Sequence, residues 1–132
     1  MQRYEFLDED HTLIETALDV LRRNHDKVHW NHTVGCAVRC GDGRVFAGVN
    51  CDGIHGSCAE YITIGMAVSA GVRAFETIVA VEENHPNRII SPCGNCRQML
   101  LEYCPDILVI VNDEDGHPIK VRARDLLPFP SA

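Results

Sequence analysis

The stretches Cys58-Ala59-Glu60 and Cys93-Gly94-Asn95-Cys96 decide how this chain folds and what chemistry it carries. The second stretch is a C-x-x-C pair, and the first supplies one further thiol with a carboxylate two residues later. No histidine stands at ligand spacing beside either cluster. Structural zinc sites use four protein ligands, whereas catalytic sites use three and leave a position open for water. Three thiols and a carboxylate therefore predict an open zinc site with a proton carrier beside it.

Serines that precede both cysteine clusters predict where two helices begin. Ser57 lies three residues before Glu60, and Ser91 is followed at once by Pro92. A serine N-cap followed by an acid at the third helical position, or by proline at the first, is typical of a helix start. Free N–H groups and the positive end of the helix dipole favour thiolates at such a start. We therefore expect Ser57 and Ser91 to cap two helices whose facing ends hold one metal ion.

Each motif, taken alone, also fits a role other than a catalytic zinc site. A lone C-x-x-C pair also occurs as a redox pair or as a fragment of a structural zinc site, and Glu60 alone fits the acid of a capping box. Without a zinc site, separate roles of this kind would have to explain both cysteine clusters and both helix starts, in the order in which they occur. The combination favours the open zinc site.

The composition is that of one globular domain, predicted to span residues 1–132. Hydrophobic residues make up 45% of the chain and charged residues 23%, which is typical of a folded domain rather than a disordered one. The formal net charge of −7 opposes binding to nucleic acid, whose phosphates attract lysine and arginine. This charge is compatible with a small neutral or cationic substrate.

The sequence also predicts the compartment. No apolar run approaches the roughly 20 residues of a membrane helix, and the first residues lack the apolar core of a signal peptide. We therefore expect a cytoplasmic protein with no membrane or nucleic-acid partner. In that compartment the seven cysteines serve as thiols and metal ligands rather than in disulfides.

Hydrophobic periodicity predicts an α/β chain in which strands and helices alternate. The predicted helices cover 8–24, 58–70, 93–103 and 124–127, and the predicted strands cover 34–39, 44–49, 77–81, 107–111 and 119–122. The segment 82–90 is predicted to be a polar loop. Because the helix over 58–70 is apolar nearly all round, we expect it to be buried. The alternation implies a sheet with helices on both faces.

Cys58-Ala59-Glu60, followed by Pro92-Cys93-Gly94-Asn95-Cys96, resembles the zinc motif of the cytidine deaminase superfamily. The likeness covers nearly the whole chain and is greatest to the blasticidin S deaminases, through 43–50, 91–101 and 115–118. The resemblance implies a three-layer α-β-α sandwich around a mixed five-stranded sheet. It also implies a homo-oligomer, since small members of the superfamily are usually homotetramers.

The chemistry implied by this resemblance is hydrolytic deamination of the cytosine ring of a small nucleoside, which yields uracil and ammonia. Cys58, Cys93 and Cys96 would hold the zinc cofactor. Glu60 would carry a proton from the attacking water to ring N3 and then help ammonia to leave. The backbone N–H of Ala59 would hold the pyrimidine carbonyl.

Four further residues are candidates for contact with the substrate. The resemblance implies that Asn50 holds a sugar hydroxyl and that Asp52 stands in place of the family's glutamate, one methylene shorter. Phe46 would wall the base pocket, and His55, in the glycine-flanked loop before Cys58, would line it. A purely structural role is the alternative for these residues, because loops favour Asn and Asp for their turn chemistry and strand aromatics more often belong to a core.

Two departures from the superfamily pattern concern charge and sugar recognition. Tyr61 stands where small members commonly have arginine, which leaves Arg97 as one candidate to offset the negative charge of three thiolates on zinc. His32 stands where cytidine deaminases usually have an aromatic residue. This departure concerns the part of the site that would recognise an ordinary ribose.

Three alternatives compete with a deaminase of cytidine-like or blasticidin S-like nucleosides. The first is an ordinary salvage deaminase of cytidine and deoxycytidine. The segment Leu127-Pro128-Phe129 of this chain resembles the terminus of such enzymes. The second is a non-catalytic, zinc-stabilised module that binds nucleosides, which would have no need of Glu60. The third is a deaminase of tRNA or mononucleotides, whose motif has histidine where this chain has Cys58.

Overall fold

A mixed β-sheet of six strands runs through the middle of the molecule. The structure, a computed structural model, describes residues 1–131, so that Ala132 of the predicted domain lies outside the described residues. The strands are β1 Gly35–Cys40, β2 Val45–Val49, β3 Phe75–Val81, β4 Ile89–Ile90, β5 Leu108–Asn112 and β6 Pro118–Arg122. Their order across the sheet is β2-β1-β3-β5-β6, and β4 pairs with the end of β3. The pair of β3 and β5 is parallel, and the other pairs are antiparallel.

The sixth strand is absent from the sequence prediction, which has five. The two residues of β4 pair with Ala80 and Val81 of β3, inside the segment 82–90 that was predicted to be a loop. The chain reverses between these strands through Asn87 and Arg88, whose φ angles are positive at 51° and 62°. A strand of two residues is too short for alternation to reveal. Its effect is to bring the chain that enters the second cysteine cluster alongside the sheet.

Three α-helices cover the two faces of the sheet. They are α1 Asp8–Asn24, α2 Ala59–Ser69 and α3 Gly94–Tyr103. One face packs against α1, and the other packs against α2 and α3. The predicted three-layer α-β-α sandwich is therefore confirmed, although the predicted closing helix is a short 3-10 turn over Ala123–Leu126. Within residues 1–131, no helix has the length and apolar character needed to cross a membrane.

Alternation along the central strands divides the interior into two cores. In β1, Cys36 and Val38 face α2 and α3, whereas Ala37 between them faces α1. In β5, Val109 and Ile110 divide in the same way. Since successive side chains of a strand point to opposite faces, a central strand of a sheet that is covered on both sides is buried at every position. All six residues of β1 are accordingly buried.

A buried ion cluster joins α1 to the sheet. The Asp10 carboxylate, which is 0% exposed, lies 2.8 Å from Arg39 Nη2 of β1 and 2.8 Å from Lys120 Nζ of β6. It also accepts the backbone N–H of Leu7, the residue that precedes α1. Burial works to raise the pKa of Asp10, but the hydrogen bonds from Arg39, Lys120 and Leu7 lower it overall. The cluster therefore holds an ionised carboxylate inside the protein and connects three elements.

The N-terminal residues cover the free side of β6. The Tyr4 backbone N–H donates to the Lys120 carbonyl oxygen at 2.9 Å. Arg122 Nε donates to the Tyr4 hydroxyl, and the Arg122 guanidinium carbon lies 5.0 Å from the centroid of the Tyr4 ring. Because β6 is the last strand in the sheet order, these contacts cover a sheet edge whose backbone groups would otherwise be open to pairing.

The helix α2 is less buried than its composition predicted. Tyr61 and Met66 are 37% and 42% exposed, and Gly65 between them is exposed as well. The opposite side of α2, which includes Thr63 and Ala67, is buried against the sheet. The prediction of a helix buried all round was therefore wrong for one face. An apolar composition does not distinguish the side of a helix that faces the core from a side that lies at the surface.

Candidate active site

A cavity of about 360 Å³ opens at the edge of the sheet where β1 begins and where β2 and β3 end. The N-terminal ends of α2 and α3 form part of its wall, so both cysteine clusters contribute to it. The polar and apolar groups of its wall include Val34, Asn50, Asp52, Cys58, Ala59, Glu60, Ile90 and Cys93. The cavity thus collects thiols, a carboxylate, an amide and two apolar walls at one place.

The three predicted thiol ligands lie together. Cys58 Sγ is 3.6 Å from Cys93 Sγ, and the sulfurs of Cys58, Cys93 and Cys96 all lie within 4.8 Å of one another. A tetrahedral zinc ion with Zn–S bonds of about 2.3 Å holds its sulfurs about 3.8 Å apart. The donor set and its spacing therefore fit a zinc ion with three thiolate ligands.

Cysteines, rather than the predicted serines, occupy the N-cap positions of both helices. Cys58 precedes α2 and Cys93 precedes α3 with extended backbone angles, so the prediction that Ser57 and Ser91 are the caps was wrong. The Ser57 backbone is engaged instead in a pair of hydrogen bonds with Cys51, and Ser91 Oγ accepts a hydrogen bond from an arginine of α3. Two of the three sulfurs are thus set directly at helix starts, where free N–H groups favour thiolates.

The thiols differ in acidity because their surroundings differ. Burial works to raise the pKa of Cys93, but hydrogen bonds from the backbone N–H groups of Cys96 and Asn95 and from neighbouring thiols lower it overall. Burial raises the pKa of Cys58 and, more strongly, that of Cys96, where the Glu60 charge adds to the effect. Since zinc binds thiolates, metal binding must release protons from the thiols that stay protonated in the free site.

Glu60 is a buried carboxyl group on the wall of the same cavity. It is the second residue of α2 and is 4% exposed. Burial raises the pKa of Glu60, and hydrogen bonds from its own backbone N–H and from Cys96 oppose that rise only in part. A carboxyl group that has a raised pKa and faces a cavity is suited to accept a proton and to release it again.

Asn50 and Asp52 are held by hydrogen bonds at the mouth of the cavity. Asn50 Oδ1 accepts the Val34 backbone N–H at 3.0 Å, and Asn50 Nδ2 donates to Asp52 Oδ1 at 3.3 Å. Asp52 Oδ2 accepts the His32 backbone N–H at 3.0 Å. Each oxygen of Asp52 therefore has one protein donor and keeps a lone pair for a further donor. This arrangement suits the recognition of hydroxyl groups.

The loop that carries these two residues is closed by a tight backbone pairing. The Cys51 and Ser57 backbones exchange two hydrogen bonds of 3.0 Å. Between them, a Cβ added at Gly56 would lie 2.5 Å from the Cys51 carbonyl oxygen and 2.9 Å from the Gly53 nitrogen. Only glycine fits at that position, so the short loop depends on it.

Two predicted substrate residues do not line the cavity. Phe46 packs beside the core under α2, with the Arg44 guanidinium carbon 5.9 Å from its ring centroid. His55 is exposed in the loop before Cys58. Sequence reasoning in turn missed Val34 and Ile90 as apolar walls, although their positions at strand ends beside the cysteine clusters were a usable signal.

Arg97 is engaged in backbone contacts. Its guanidinium donates to the carbonyl oxygens of Pro92 and Leu126 at 2.8 and 2.9 Å and to Ser91 Oγ at 2.8 Å. These bonds connect the start of α3 to the 3-10 turn near the C-terminus. Arg97 therefore supports the backbone that carries Cys93, and its guanidinium bonds to backbone carbonyls and Ser91 rather than to a thiol.

Known proteins resemble the chain along nearly its whole length. A family model described as the cytidine and deoxycytidylate deaminase zinc-binding region matches residues 7–112. The chain is 32% identical to a blasticidin-S deaminase of Bacillus cereus, over 98% of this chain and 96% of that protein. It is 31% identical to a probable cytidine deaminase of Dictyostelium discoideum, over 87% of this chain and 81% of that protein.

Solved structures give the same result. A cytidine deaminase from Burkholderia pseudomallei matches with a TM-score of 0.75 at 34% identity, covering 91% of this chain and 97% of that chain. A cytidine deaminase from Mycobacterium tuberculosis matches with a TM-score of 0.76 at 27% identity, covering 96% and 99% respectively. The fold, the thiol cluster and these relatives agree. The chain therefore belongs to the cytidine deaminase family, and it is a zinc-dependent hydrolase that removes an amino group by cleaving a C–N bond.

Proposed function

We propose that this enzyme deaminates the cytosine ring of a cytidine-like nucleoside, of the cytidine or the blasticidin S type, to uracil with release of ammonia. The observation that carries the proposal is that one cavity has a buried carboxylate, a cluster of thiols and a hydrogen-bonded Asn50–Asp52 pair in its wall. The thiols and the carboxylate suit hydrolysis of an aminated ring, and the amide and second carboxylate suit a sugar.

The proposed roles at the reacting end follow from the positions of these groups. Cys58, Cys93 and Cys96 are the proposed zinc ligands, and zinc bound there supplies Lewis-acid activation of the attacking water. Glu60 takes a proton from that water and delivers it to ring N3. The water oxygen adds to C4 as N3 is protonated. Glu60 then takes the remaining proton from the new C4 hydroxyl and passes it to the amino group, so that the C4–N bond breaks, ammonia leaves and the C4 carbonyl forms. Water and the cytosine ring are consumed, and a uracil ring and ammonia are formed.

The proposed binding roles use groups with free hydrogen-bonding capacity. Ala59 is the first residue of α2, so its backbone N–H has no acceptor within the helix and is available to the pyrimidine carbonyl. At the mouth of the cavity, the Asn50 amide donates its remaining Nδ2 proton to a sugar hydroxyl, and the Asp52 carboxylate accepts hydrogen bonds from sugar hydroxyls. Val34 and Ile90 contact the faces of the base as apolar walls.

The substrate is tested by the specificity constants for blasticidin S, cytidine and deoxycytidine, measured side by side from the change in ultraviolet absorbance. The blasticidin-S deaminase and the cytidine deaminases among the relatives support both types of nucleoside. A kcat/KM for blasticidin S more than about 100-fold below that for cytidine, or about 2.7 kcal/mol of discrimination, would reject the blasticidin S type and leave a cytidine salvage deaminase. Turnover of none of the three by zinc-loaded enzyme would reject the proposed substrate class.

A homotetramer is the proposed assembly. The exposed apolar face of α2 that includes Tyr61 and Met66 supports it, because such a face is suited to burial against a second copy of the chain. Multi-angle light scattering after size-exclusion chromatography measures the mass directly. A mass equal to that of a single 14.7 kDa chain at micromolar concentration would reject the assembly.

A cytoplasmic location and a single deaminase domain over residues 1–132 complete the proposal. The location is supported by seven cysteines that are all free thiols, since thiols persist in a reducing compartment. The single domain is supported by the two cores, which draw on elements from α1 to the final 3-10 turn. The net charge of −7 supports a small-molecule substrate over nucleic acid. Cell fractionation and limited proteolysis test these points.

A further inference from the structure

His32 is bonded to both residues that we assign to the sugar, although it does not itself line the cavity. Its ring Nδ1 lies 2.7 Å from the Asn50 carbonyl oxygen, and its backbone N–H donates to Asp52 Oδ2 at 3.0 Å. Because a carbonyl oxygen only accepts hydrogen bonds, the Nδ1 atom must carry the proton in this contact. One residue therefore holds the backbone of Asn50 and the side chain of Asp52 at once.

The backbone of His32 is in a conformation that serves these two bonds. Its φ angle is +56°, in the left-handed region that residues other than glycine adopt uncommonly, and in which asparagine, aspartate and histidine occur most often. The next residues continue the contact, since Val34 donates to Asn50 Oδ1 and accepts the Asn50 backbone N–H. This backbone angle turns the His32 N–H and ring toward the Asn50 loop, so that both bonds form together.

The segment before His32 is rigid enough to hold it in place. Asp26 and Asn31 exchange two backbone hydrogen bonds of 3.0 and 3.2 Å, which close a short loop. Inside that loop, Asp26 Oδ1 accepts the backbone N–H groups of Val28 and His29 at 3.0 and 3.1 Å. The loop delivers His32 to the Asn50–Asp52 pair from a closed ring of hydrogen bonds.

We propose that His32 is a positioning residue for sugar recognition, which acts by holding Asn50 and Asp52 in the geometry that meets the nucleoside hydroxyls. This inference rests on the proposed function, because it assumes that Asn50 and Asp52 contact the sugar. His32 works through these two residues and touches neither the base nor the reacting atoms. Its loss therefore weakens binding of a hydroxylated sugar and leaves the chemical step unchanged.

The test replaces His32 with alanine and compares two substrates. Loss of one hydrogen bond corresponds to roughly a three- to tenfold change in an equilibrium constant, so KM for cytidine should rise by that factor while kcat stays within twofold. 2′,3′-Dideoxycytidine lacks the 2′ and 3′ hydroxyls and keeps the 5′ hydroxyl. Its apparent affinity, measured as a substrate or as a competitive inhibitor, should stay within twofold. The preference for cytidine over the dideoxy compound therefore falls three- to tenfold.

Three matched variants separate positioning from folding. His32→Gly also removes the ring but relieves the left-handed backbone, and it should give the same loss of preference as His32→Ala. His32→Asn should recover most of the wild-type preference, because its Nδ2 atom occupies the place of the histidine Nδ1 and asparagine tolerates a positive φ. Val28→Ala, which truncates a side chain of the same loop that is 83% exposed, should leave both KM values unchanged. Zinc content and melting temperature are measured for every variant.

Two results would overturn the inference while the proposed function stands. One is that His32→Ala and His32→Gly both keep the full wild-type preference for cytidine over the dideoxy compound. The other is an equal loss of affinity for cytidine and for the dideoxy compound, which would give His32 a general structural role. By contrast, wild-type enzyme with a full zinc complement that deaminates no cytosine nucleoside would overturn the proposed function itself.

Discussion

Replacement of Asp10 by asparagine tests whether the buried ion cluster stabilises the fold. Asparagine keeps the size of the side chain and an oxygen for the Leu7 N–H, but it removes the negative charge that faces Lys120 and Arg39. The Lys120 side chain is 4% exposed, so its ammonium group would be left inside the protein without its salt-bridge partner. Loss of one partner from a buried ion pair costs about 3–5 kcal/mol.

That magnitude is large for a chain of this size. The free energy of unfolding of a domain is about 5–15 kcal/mol. A loss of about 4 kcal/mol from it corresponds to a fall in Tm of roughly 10–20 °C. The free energy of unfolding of zinc-loaded protein is measured by urea denaturation at pH 7. The pKa of Asp10 is lowered below its ordinary value of 3.8, so its contribution is present above that pH and is lost as pH falls through the lowered value. The difference between wild type and Asp10→Asn should therefore shrink toward low pH.

A matched control lies on the same helix. Asp19→Asn makes the same chemical change in an i,i+4 pair with Arg23 whose side chains are both 67% exposed, and it should change stability by about 0.5 kcal/mol or less. A loss below about 1 kcal/mol in Asp10→Asn would refute the reasoning. Values of kcat and KM at 25 °C should match wild type, because none of the three charged groups lines the cavity.

Three further predictions concern the metal, the proton carrier and the assembly. Cys93→Ser should lose zinc and melt at a lower temperature, because metal-binding energy is partly folding energy. Cys51→Ser, which lies outside the thiol cluster, should keep one zinc per chain by elemental analysis; zinc retained in Cys93→Ser would contradict the ligand assignment. Glu60→Gln should keep its zinc and its Tm, but its kcat should fall by ~10²–10⁴-fold. If the variant kept most of its activity, Glu60 would not be the proton carrier and would serve only as an acidic residue at a helix start. Met66→Asp should lower the mass measured by light scattering with an unchanged circular dichroism spectrum, and an unchanged mass would place the interface elsewhere.

The meeting of the three thiols was predictable because ligand chemistry restricts both residue type and spacing. Cysteines beside two helix starts could serve one metal only if the starts face each other, and the structure brings their sulfurs within 4.8 Å. The layers were predictable for a related reason. Strands buried on both faces appear as continuous apolar runs, and β5 over Leu108–Asn112 lies one residue from its predicted bounds.

The features that sequence reasoning missed depend on contacts between distant segments. Serine is a stronger N-cap than cysteine in general, but Ser57 is diverted into a backbone pairing with Cys51 that no local pattern reveals. The two-residue strand β4 exists only because the end of β3 is available to pair with it. The role of His32 likewise arises from bonds to a loop 18 to 20 residues away.

The hold of β6 on the N-terminal residues has a consequence for synthesis of the chain. Tyr4 and Arg122, which contact each other, are 118 positions apart. At about 5–20 residues per second, Tyr4 is made roughly 6–24 s before its partner. During that interval Lys120 is not yet present to neutralise the charge of the Asp10 carboxylate. The sheet that α1 covers also lacks its edge strand β6. A chain that ends before β6 therefore lacks the edge strand of the sheet, the partner of Tyr4 and the lysine that faces Asp10, although it lacks only its last 15 residues.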